Sequence, residues 1–406
     1  MTALPLSGIR VVDFCWVGAG SFATKILADH GADVIKIESN SKIDGIRLSP
    51  PFKDGRKDVN RSGYFADRNT NKRSLTLNMK TDEGQQLARR LVASCDVVSN
   101  NFTPGVMERF GLGYEQVREI NPGVVYLAMS MQGAAGPERD YLGYGQTIGA
   151  LVGLHHLTGL PGHPPAGTGT NYPDHVPNPC HAAFAVLAAL RHKRRTGRGQ
   201  FVDIAQTEPT IAMLAPSLLE HTVNGHDPGP LGNQHRSYAP HGVYRCSGED
   251  SWLAISVTDD DAWQKLRTVL GIDDAQCVSD WADAAARWRD RDTLDDLLAR
   301  LLADRDAAET ADHLLRAGVA AGVVQSVADL VDDDPQLRWR EHWVRLDHPE
   351  MGETLYNAPP FRFSGTPTRF ERPAPLLGQH TREICRDVLG LADAEIDRLT
   401  EAGVLT

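Results

Sequence analysis

The 406-residue chain lacks a long uninterrupted apolar run, and no segment reaches the ~18 apolar residues that a membrane-spanning helix requires. The N-terminal residues Met1–Pro5 also lack a basic stretch followed by an apolar region, the pattern of a secretory signal. An apolar fraction of 41% and a charged fraction of 23% are typical of soluble globular proteins. We therefore expect a cytoplasmic protein with no membrane partner.

Paired cysteines are absent as well. The six cysteines are scattered, no two of them form a CxxC motif, and none has histidines at the spacing of a zinc finger. The sequence therefore indicates neither a disulfide framework nor a bound metal.

An excess of positive charge is the third feature that the chain lacks. The formal net charge is −11, whereas nucleic acid binding depends on clustered Lys and Arg that displace counterions. We therefore expect no nucleic acid partner. A ligand that carries its negative charge in one part of the molecule needs only a few cations at the opening of its binding site. The acidic composition is compatible with such a ligand.

Short β-branched runs alternate with helical patterns through the first 130 residues. A run at 8–14 precedes a helical pattern at 22–30, and a second run follows at 34–38. Thr81 is a suitable N-cap for a further helix, because Asp82 and Glu83 occupy its first turn. Strands that alternate with helices predict a mostly parallel sheet that is covered on both faces.

The pattern changes after about residue 210. A loop rich in Pro and Gly leads into short strands at 242–244 and 252–257, and acidic, Ala-rich helical segments extend from there to about residue 318. This stretch predicts a second, smaller α+β domain. The remaining tail is rich in proline and closes with a helical pattern at 381–389.

The segment Gly18-Ala19-Gly20-Ser21-Phe22-Ala23 matches the GxGxxG/A motif between a strand and a helix, and Glu38 follows about twenty residues later. Glycines at these positions let the backbone approach a pyrophosphate at the helix N-terminus. Taken alone, the motif is equally consistent with NAD binding, with another nucleotide-bearing ligand such as coenzyme A, and with a tight turn.

Segments spread in order along nearly the whole chain carry a more specific pattern. They are residues 5–13, 31–38, 71–77, 101–105, 111–114, 195–203 and 372–381. Together they resemble the class III CoA-transferase family, the formyl-CoA transferase or CaiB/BaiF type, which also contains the α-methylacyl-CoA racemases.

The resemblance implies an α/β fold with a Rossmann-like large domain formed by both chain ends and a smaller central α+β domain. We place the large domain at 1–210, the small domain with its linkers at 211–330, and the part that returns to the large domain at 331–406. The family also implies a ring-shaped subunit that interlocks with a second copy as a homodimer. No permanently bound cofactor is implied, since the coenzyme A thioester is a substrate.

The implied activity moves CoA between two carboxylic acids, so an acyl-CoA and a free carboxylic acid are the expected small-molecule partners. The family's nucleophilic aspartate corresponds to Asp174, and the reaction passes through an aspartyl anhydride and an aspartyl-CoA thioester. A carboxylate can attack a thioester and expel the CoA thiolate, which is the chemistry that such a transfer needs. Without the resemblance, Asp174 is better explained as a turn residue after Pro173.

Tyr144 separates the two branches of the family. The racemases carry a His in the corresponding segment, as one of two bases that remove and return the α-proton, and a neutral Tyr with a pKa of ~10 is a poor base at pH 7. The sequence therefore favours transfer. An α-methylacyl-CoA racemase-type enzyme and a non-catalytic subunit of a heteromeric CoA-transferase are the alternatives. The expected substrate pocket contains Tyr144, Tyr172 and His175, and core packing is the alternative role of Tyr144.

The CoA contacts carried over by resemblance are Val17, Gly18, Ala19, Asn71, Lys72, Asn101, Phe102, Thr103 and Arg109. Lys72 and Arg109 each offer a cation to a phosphate, or else an exposed salt bridge. Gly18 stands where formyl-CoA transferases have Gln, and the glycine-run loop of those enzymes is not visible. Formate and oxalate are therefore not indicated, and the His and Tyr residues near Asp174 suit a larger acid, such as a dicarboxylic or an aromatic acid.

Overall fold

The structure is a computed structural model that describes residues 3–277 and 281–406. Met1 and Thr2, which begin the segment inspected for a signal, lie outside the described residues. The chain forms two compact units. The larger unit comprises Met1–His155, Gly167–Asp227 and Gln336–Thr406, and the smaller comprises His156–Ala166 and Pro228–Pro335.

A six-stranded parallel sheet forms the centre of the larger unit. In order across the sheet the strands are β3-β2-β1-β4-β5-β6, and neighbouring strands are parallel throughout. The strand order reverses between β1 and β4, and ligands of such folds bind at this point beside the carboxyl ends of the strands. The strands are β1 (Arg10–Asp13), β2 (Asp33–Glu38), β3 (Arg73–Thr76), β4 (Val97–Asn100), β5 (Val125–Ala128) and β6 (Gln200–Asp203).

Helices connect these strands and cover the sheet. The helix expected after Thr81 is present, and the Thr81 hydroxyl oxygen accepts the N–H of Gly84 at 3.0 Å as an N-cap. Among the described residues, every helix is too short or too polar to cross a lipid bilayer. The helices up to residue 227 are α1 (Ala19–Asp29), α2 (Gly63–Arg68), α3 (Asp82–Ala93), α4 (Val106–Arg109), α5 (Tyr114–Ile120), α6 (Gly145–Leu151), α7 (Leu154–Leu157), α8 (Tyr172–His175), α9 (Pro177–Thr196), α10 (Thr207–Ala212) and α11 (Ala215–Asn224).

The smaller unit is an antiparallel sheet with helices packed against it. Its strands run in the order β7-β8-β9, and its core contains Trp263 and Trp281 in an edge-to-face pair with ring centres 6.2 Å apart. Its elements are β7 (His241–Arg245), β8 (Trp252–Ser256), α12 (Asp260–Leu270), α13 (Ala284–Arg289), α14 (Arg291–Leu302), α15 (Ala307–Ala317) and β9 (Ala320–Val323).

The C-terminal segment returns to the larger unit. Ile384 and Leu399 pack in the same core cluster as Val12 and Ile35 of the first two strands. The expected α/β fold is confirmed, and both chain ends contribute to the larger unit. The final elements are α16 (Pro335–Trp339), the antiparallel pair β10 (Trp343–His348) and β11 (Gly352–Asn357), α17 (Thr381–Asp387) and α18 (Asp393–Glu401).

The unit boundaries differ from those expected from the sequence. The smaller unit starts at Pro228 instead of about 211, because α10 and α11 belong to the larger unit. It also includes 156–166, where the carbonyl of Gly159 accepts the N–H of Gly232 at 2.8 Å. That contact joins residues far apart in the chain, so no local pattern could reveal it.

Candidate active site

Asp174 lies in α8, a single helical turn that begins after Asn171, whose carbonyl accepts the Asp174 N–H at 2.9 Å. The side chain is only 4% exposed. Burial raises the pKa of the Asp174 carboxyl from 3.8 to about 6, and the N–H of Gly145 and the charge of Arg68 offset this only in part. The carboxylate therefore meets little stabilisation from the protein, which leaves it able to form a new bond.

Two glycines let Asp174 sit where it does. A Cβ atom on Gly145 would lie 2.9 Å from the Asp174 Oδ2, and one on Gly18 would lie 3.1 Å from the Asp174 Cβ and 3.4 Å from Oδ2. Gly145 follows Tyr144 at the start of α6, and Gly18 precedes α1. The absence of side chains at these two positions thus brings the backbone of both elements against the carboxylate.

The turn between β1 and α1 holds a strained backbone. Val17 has φ 59°, a left-handed conformation that is costly for a β-branched residue. Its N–H donates to the Asp44 Oδ1 at 3.0 Å. Asn101 fixes the preceding residue, since its Oδ1 accepts the Trp16 N–H at 2.8 Å and its Nδ2 donates to the Trp16 carbonyl at 2.7 Å. Two side chains therefore hold this turn in one conformation.

Buried ion pairs lie beneath the turn. Lys36 Nζ lies 3.0 Å from the Asp44 Oδ2 and donates to the Cys15 carbonyl at 2.6 Å. Lys72 Nζ lies 3.2 Å from the Asp13 Oδ2, and all four charged side chains are fully buried. The turn thus rests on charges that the protein itself neutralises.

Lys72 requires a correction to the sequence interpretation. Its ammonium group donates to Asp13, the Ser21 carbonyl, Thr24 and Asn69 at 2.7–3.2 Å and has no exposed surface. A lysine has three donors, all of which these acceptors occupy. Lys72 is therefore neither presented to a phosphate nor part of an exposed salt bridge.

Glu38 shows why the GxGxxG/A motif misleads here. Its carboxylate accepts from the Arg47 Nε at 2.7 Å, from the Arg47 Nη2 at 2.8 Å and from the Ser74 Oγ at 2.7 Å, all of them buried. In a dinucleotide-binding fold the equivalent acidic residue must be free to bind a ribose. The Glu38 carboxylate is engaged inside the protein, which removes the main support for the NAD alternative.

A cavity of about 650 Å³ opens at the carboxyl ends of the parallel strands and reaches Asp174. Its lining includes residues that follow β1, β2, β3, β4 and β5, as expected at the point where the strand order reverses. Nine of the residues expected from the sequence are brought together here: Val17, Gly18, Ala19, Asn101, Phe102, Thr103, Arg109, Tyr144 and Asp174.

Two cations of this cavity were not expected from the sequence. Lys42 and Lys80 line it together with Arg109, and all three residues are exposed. Lys42 Nζ lies 5.4 Å from the centre of the Trp16 ring, a cation–π distance. Within residues 3–277 and 281–406, no ion pair engages any of the three. Lys42 and Lys80 follow strands β2 and β3, and only that position could have identified them.

Four expected site residues lie outside the lining of this cavity: Asn71, Lys72, Tyr172 and His175. The Asn71 Oδ1 accepts the N–H groups of Glu371 and Arg372 at 2.9 and 3.1 Å, so this side chain anchors the C-terminal segment. Tyr172 is 36% exposed, and the His175 Nδ1 accepts from the Arg68 Nη2 at 2.8 Å.

Tyr64 is a further residue near Asp174 that the sequence did not single out. A Cβ on Gly18 would lie 3.1 Å from the Tyr64 hydroxyl oxygen and 3.4 Å from the Asp174 Oδ2, so the hydroxyl and the carboxylate lie near each other on the same side of Gly18. Burial raises the pKa of Tyr64, the charge of Arg68 offsets this only in part, and the charge of Asp174 raises the pKa further. The hydroxyl therefore remains protonated beside the carboxylate.

The fold and the site together define a class of protein. A cavity with three cations opens at the carboxyl ends of a parallel sheet, and a buried, weakly stabilised carboxylate reaches the same cavity. The model of CoA-transferase family III matches residues 6–381, and the chain belongs to this family. It is a CoA-transferase.

Named relatives agree with this assignment over nearly the full length. Succinyl-CoA–D-citramalate CoA-transferase of Chloroflexus aurantiacus is 33% identical over 403 residues, 99% of this chain and 98% of the relative. Succinate–glutarate CoA-transferase of Agrobacterium fabrum is 33% identical over 404 residues, 95% and 96% of the two chains. The crystal structure of a CaiB/BaiF family protein from Brucella suis has a TM-score of 0.86 at 32% identity and covers 95% of this chain and 100% of that chain.

Proposed function

We propose that this CoA-transferase moves CoA between two carboxylic acids through covalent intermediates on Asp174. The observation that carries the proposal is the Asp174 carboxylate, which is buried in the cavity with one backbone N–H donor and has a pKa raised to about 6 by burial. A structural carboxylate at such a depth has several partners. A nucleophile has to keep its lone pairs available.

The transfer consists of four displacements at carbonyl carbon. Asp174 attacks the donor thioester, and a mixed anhydride forms as the CoA thiolate leaves. The thiolate then attacks the Asp174 carbonyl, which gives an aspartyl-CoA thioester and releases the donor acid. The acceptor carboxylate attacks this thioester, and a second anhydride forms while the thiolate leaves again. Finally, the thiolate attacks the acceptor carbonyl, which yields the new acyl-CoA and returns the Asp174 carboxylate.

The residues that line the cavity suit the separate parts of a CoA molecule. Lys42, Lys80 and Arg109 are the cations that would bind its phosphates. The strained turn Val17–Ala19 would lie along the pantetheine of CoA. In this placement the CoA sulfur points toward Asp174. Phe102 packs edge-to-face on Trp16, with ring centres 5.5 Å apart, and gives the same path an apolar side.

We assign dicarboxylic acids as the substrate class. The two relatives described above are named for succinyl-CoA with citramalate and for succinate with glutarate, and each of these acids carries two carboxylates. Tyr144 lines the cavity together with Asp174, in the segment where the racemases that this chain resembles carry a histidine base. This supports acyl transfer over removal of an α-proton.

An oxygen-labelling experiment tests the covalent mechanism. During turnover with an acceptor acid labelled with ¹⁸O in its carboxylate, one labelled oxygen stays on Asp174 after the last displacement. Peptide mass spectrometry of the quenched enzyme should therefore find ¹⁸O at Asp174 and at no other acidic residue. New acyl-CoA without label at Asp174 would contradict the aspartyl pathway. Deuterium gain at the α-carbon in heavy water, without acyl exchange, would instead indicate racemase chemistry.

We also propose that the enzyme acts as a homodimer, interlocked as the family resemblance implies. Two helices of the larger unit expose large apolar side chains, with Phe184 on α9 at 71% and Val223 on α11 at 74%. Such side chains favour contact with a second copy. Light scattering should give twice the mass of 44.4 kDa. A double variant, Phe184→Glu with Val223→Glu, should shift the mass toward the monomer, and a wild-type monomer would contradict the proposal.

A further inference from the structure

Helix α2 presents Tyr64 and Arg68 on one side, because residues four positions apart share a face and Phe65 and Ala66 fill the buried face. Ser62 starts this helix by accepting the Phe65 N–H at 3.2 Å. The Arg68 guanidinium carbon lies 5.7 Å from the centre of the Tyr64 ring and 4.4 Å from that of Phe22. The two rings restrain the cation and shield it from water.

Arg68 is paired with His175, the residue directly after Asp174. The Arg68 Nη2 lies 2.8 Å from the His175 Nδ1. A guanidinium group carries donors only, so Nδ1 is the acceptor. Burial and the charge of Arg68 together lower the pKa of His175 to about 4, so the imidazole is neutral and its proton lies on Nε2. The pair thus combines a fixed cation with a neutral N–H donor.

The guanidinium group retains capacity for another ligand. One of its terminal nitrogens contacts the carboxylate of Asp67, which also accepts from the Asn357 Nδ2 at 2.7 Å. The Arg68 Nε is buried, and no hydrogen-bond partner for it occurs in the described part of the chain. An unpaired charged donor in a buried place is costly unless a ligand satisfies it.

The position of this pair differs from that of the CoA cations. Lys42, Lys80 and Arg109 line the cavity, whereas Arg68 and His175 do not. The pair instead adjoins Asp174 through the peptide bond to His175 and through Tyr64, whose ring contacts His175 and whose hydroxyl lies on the same side of Gly18 as the carboxylate. An acyl group bonded to Asp174 would therefore extend from a carboxylate that has a cation at its side.

We propose that Arg68 and His175 recognise the second carboxylate of a dicarboxylic acyl group while its first carboxyl carbon is bonded to Asp174. Arginine binds carboxylates through paired N–H donors, and the stacked rings fix the orientation of its guanidinium group. The His175 Nε2–H supplies an additional donor. This inference rests on the function proposed above and assigns the residues that select its substrate class.

Isotope exchange between an acyl-CoA and its own labelled acid tests the inference, since one acid then takes part in both halves of the reaction. Succinyl-CoA with ¹³C-succinate and butyryl-CoA with ¹³C-butyrate form a pair matched in carbon number. We expect the wild-type enzyme to prefer succinate. Arg68→Met should lower kcat/KM for the succinate exchange about 100-fold, the loss typical of a desolvated charge-assisted contact, and change the butyrate exchange less than about threefold.

Further variants separate recognition from folding. Arg68→Lys should retain part of the preference, because a single ammonium replaces the paired donors. His175→Gln keeps Arg68 and should reduce the preference by a smaller factor. Arg316→Met, in an exposed ion pair on α15, should leave both exchanges unchanged. The melting temperature and CoA affinity of each variant should match the wild-type values.

The results of these exchange experiments separate a failure of the role of Arg68 from a failure of the covalent mechanism on Asp174. Equal losses of both exchanges in Arg68→Met, or an undiminished preference for succinate, would overturn the role of Arg68 and leave the chemistry of Asp174 intact. Asp174→Asn should abolish both exchanges, and retention of either would overturn the mechanism itself. A wild-type enzyme that exchanges neither acid would refute the substrate class and, with it, this inference.

Discussion

Two buried carboxylates in the larger unit, Asp13 and Asp174, have opposite surroundings. The Asp13 carboxylate accepts from Lys72, Thr24, Ser99 and the Cys15 N–H at 2.7–3.2 Å. Burial tends to raise its pKa, but Lys72, Lys36 and these hydrogen bonds outweigh that effect and hold the pKa below the ordinary value.

Asp174 is almost as deeply buried, yet it accepts from one backbone N–H and its pKa is raised to about 6. The contrast separates two uses of a buried charge. Around Asp13 the protein satisfies every lone pair and gains a rigid turn, whereas around Asp174 it leaves the charge poorly satisfied and retains a reactive group. Changes at Asp174, Lys72 and Gly145, and a change of pH, should each break or sharpen this contrast.

Replacement of Asp174 removes the nucleophile and should have the largest effect. We expect Asp174→Asn and Asp174→Ala to lower the transfer rate at least about 10⁴-fold, as losses of a covalent nucleophile do. CoA affinity should stay close to the wild-type value, and the free energy of unfolding at pH 8 should not decrease, because a poorly satisfied buried charge has been removed. Steady-state kinetics, isothermal titration and urea unfolding measure these three quantities.

Replacement of Lys72 should reduce stability instead of catalysis. Lys72→Met leaves Asp13 charged and buried without its nearest cation, which costs about 3–5 kcal/mol in the free energy of unfolding. Lys80→Met is the matched control, since Lys80 is an exposed lysine of the cavity. It should leave urea unfolding unchanged and weaken CoA binding several-fold. A stable Lys72→Met protein with weakened CoA binding would reverse the roles assigned to the two lysines.

A methyl group at Gly145 should displace the Asp174 carboxylate. The added Cβ would lie 2.9 Å from the Asp174 Oδ2 and 2.7 Å from the Asn171 Cβ, and both are closer than such contacts allow. We expect kcat/KM to fall about 10–100-fold, since small displacements of reacting groups are costly. The control is Gly365→Ala, where an added Cβ meets no atom within 4 Å. Wild-type kinetics in Gly145→Ala would show that the carboxylate tolerates displacement.

The raised pKa of Asp174 predicts a dependence of stability on pH. In the folded protein the group keeps its proton up to about pH 6, whereas the unfolded chain loses it near pH 3.8. The folded state therefore binds more protons in this range, and the free energy of unfolding falls as the pH rises from about 4 to 6. The loss relative to Asp174→Asn should be roughly 2–3 kcal/mol.

The activity should change in the opposite direction over the same range. Because the carboxylate is the nucleophile, kcat/KM should rise as the pH increases through about 6 and level off above it. A rate that is flat between pH 5 and 7, measured at constant ionic strength, would contradict the assigned titration. His175 adds no transition there, since its pKa is lowered to about 4.

The sequence predicted the fold well where local rules decide it. The helix after Thr81 begins where its capping residue placed it, and the helix Thr381–Asp387 lies within the helical pattern at 381–389. These signals are local, so the rest of the protein did not have to be known. The boundaries of the smaller unit depend on a contact between residues far apart, and they could not be predicted in this way.

The site could be predicted only in part for a similar reason. The sequence directed attention to Asp174 and to the turn at Val17, and these residues lie on one cavity. It could not distinguish Lys72, whose charge is neutralised inside the protein, from Lys80, which reaches solvent, because both are lysines near the same strand. Burial and partner atoms decide between such residues, and neither is written in the local sequence.

The return of the C-terminal segment to the first strands has a consequence for synthesis on the ribosome. Leu405 packs in the same core as Val12, and the carbonyl of Thr406 accepts the Ser39 hydroxyl at 3.0 Å. A ribosome adds roughly 5–20 residues per second, so the first strands wait for tens of seconds before their core is complete. The smaller unit ends at Pro335 and has all of its residues earlier. The core on this side of the sheet thus stays incomplete until residues 384–405 have been synthesised, and removal of α18 would leave part of the apolar surface of the sheet uncovered.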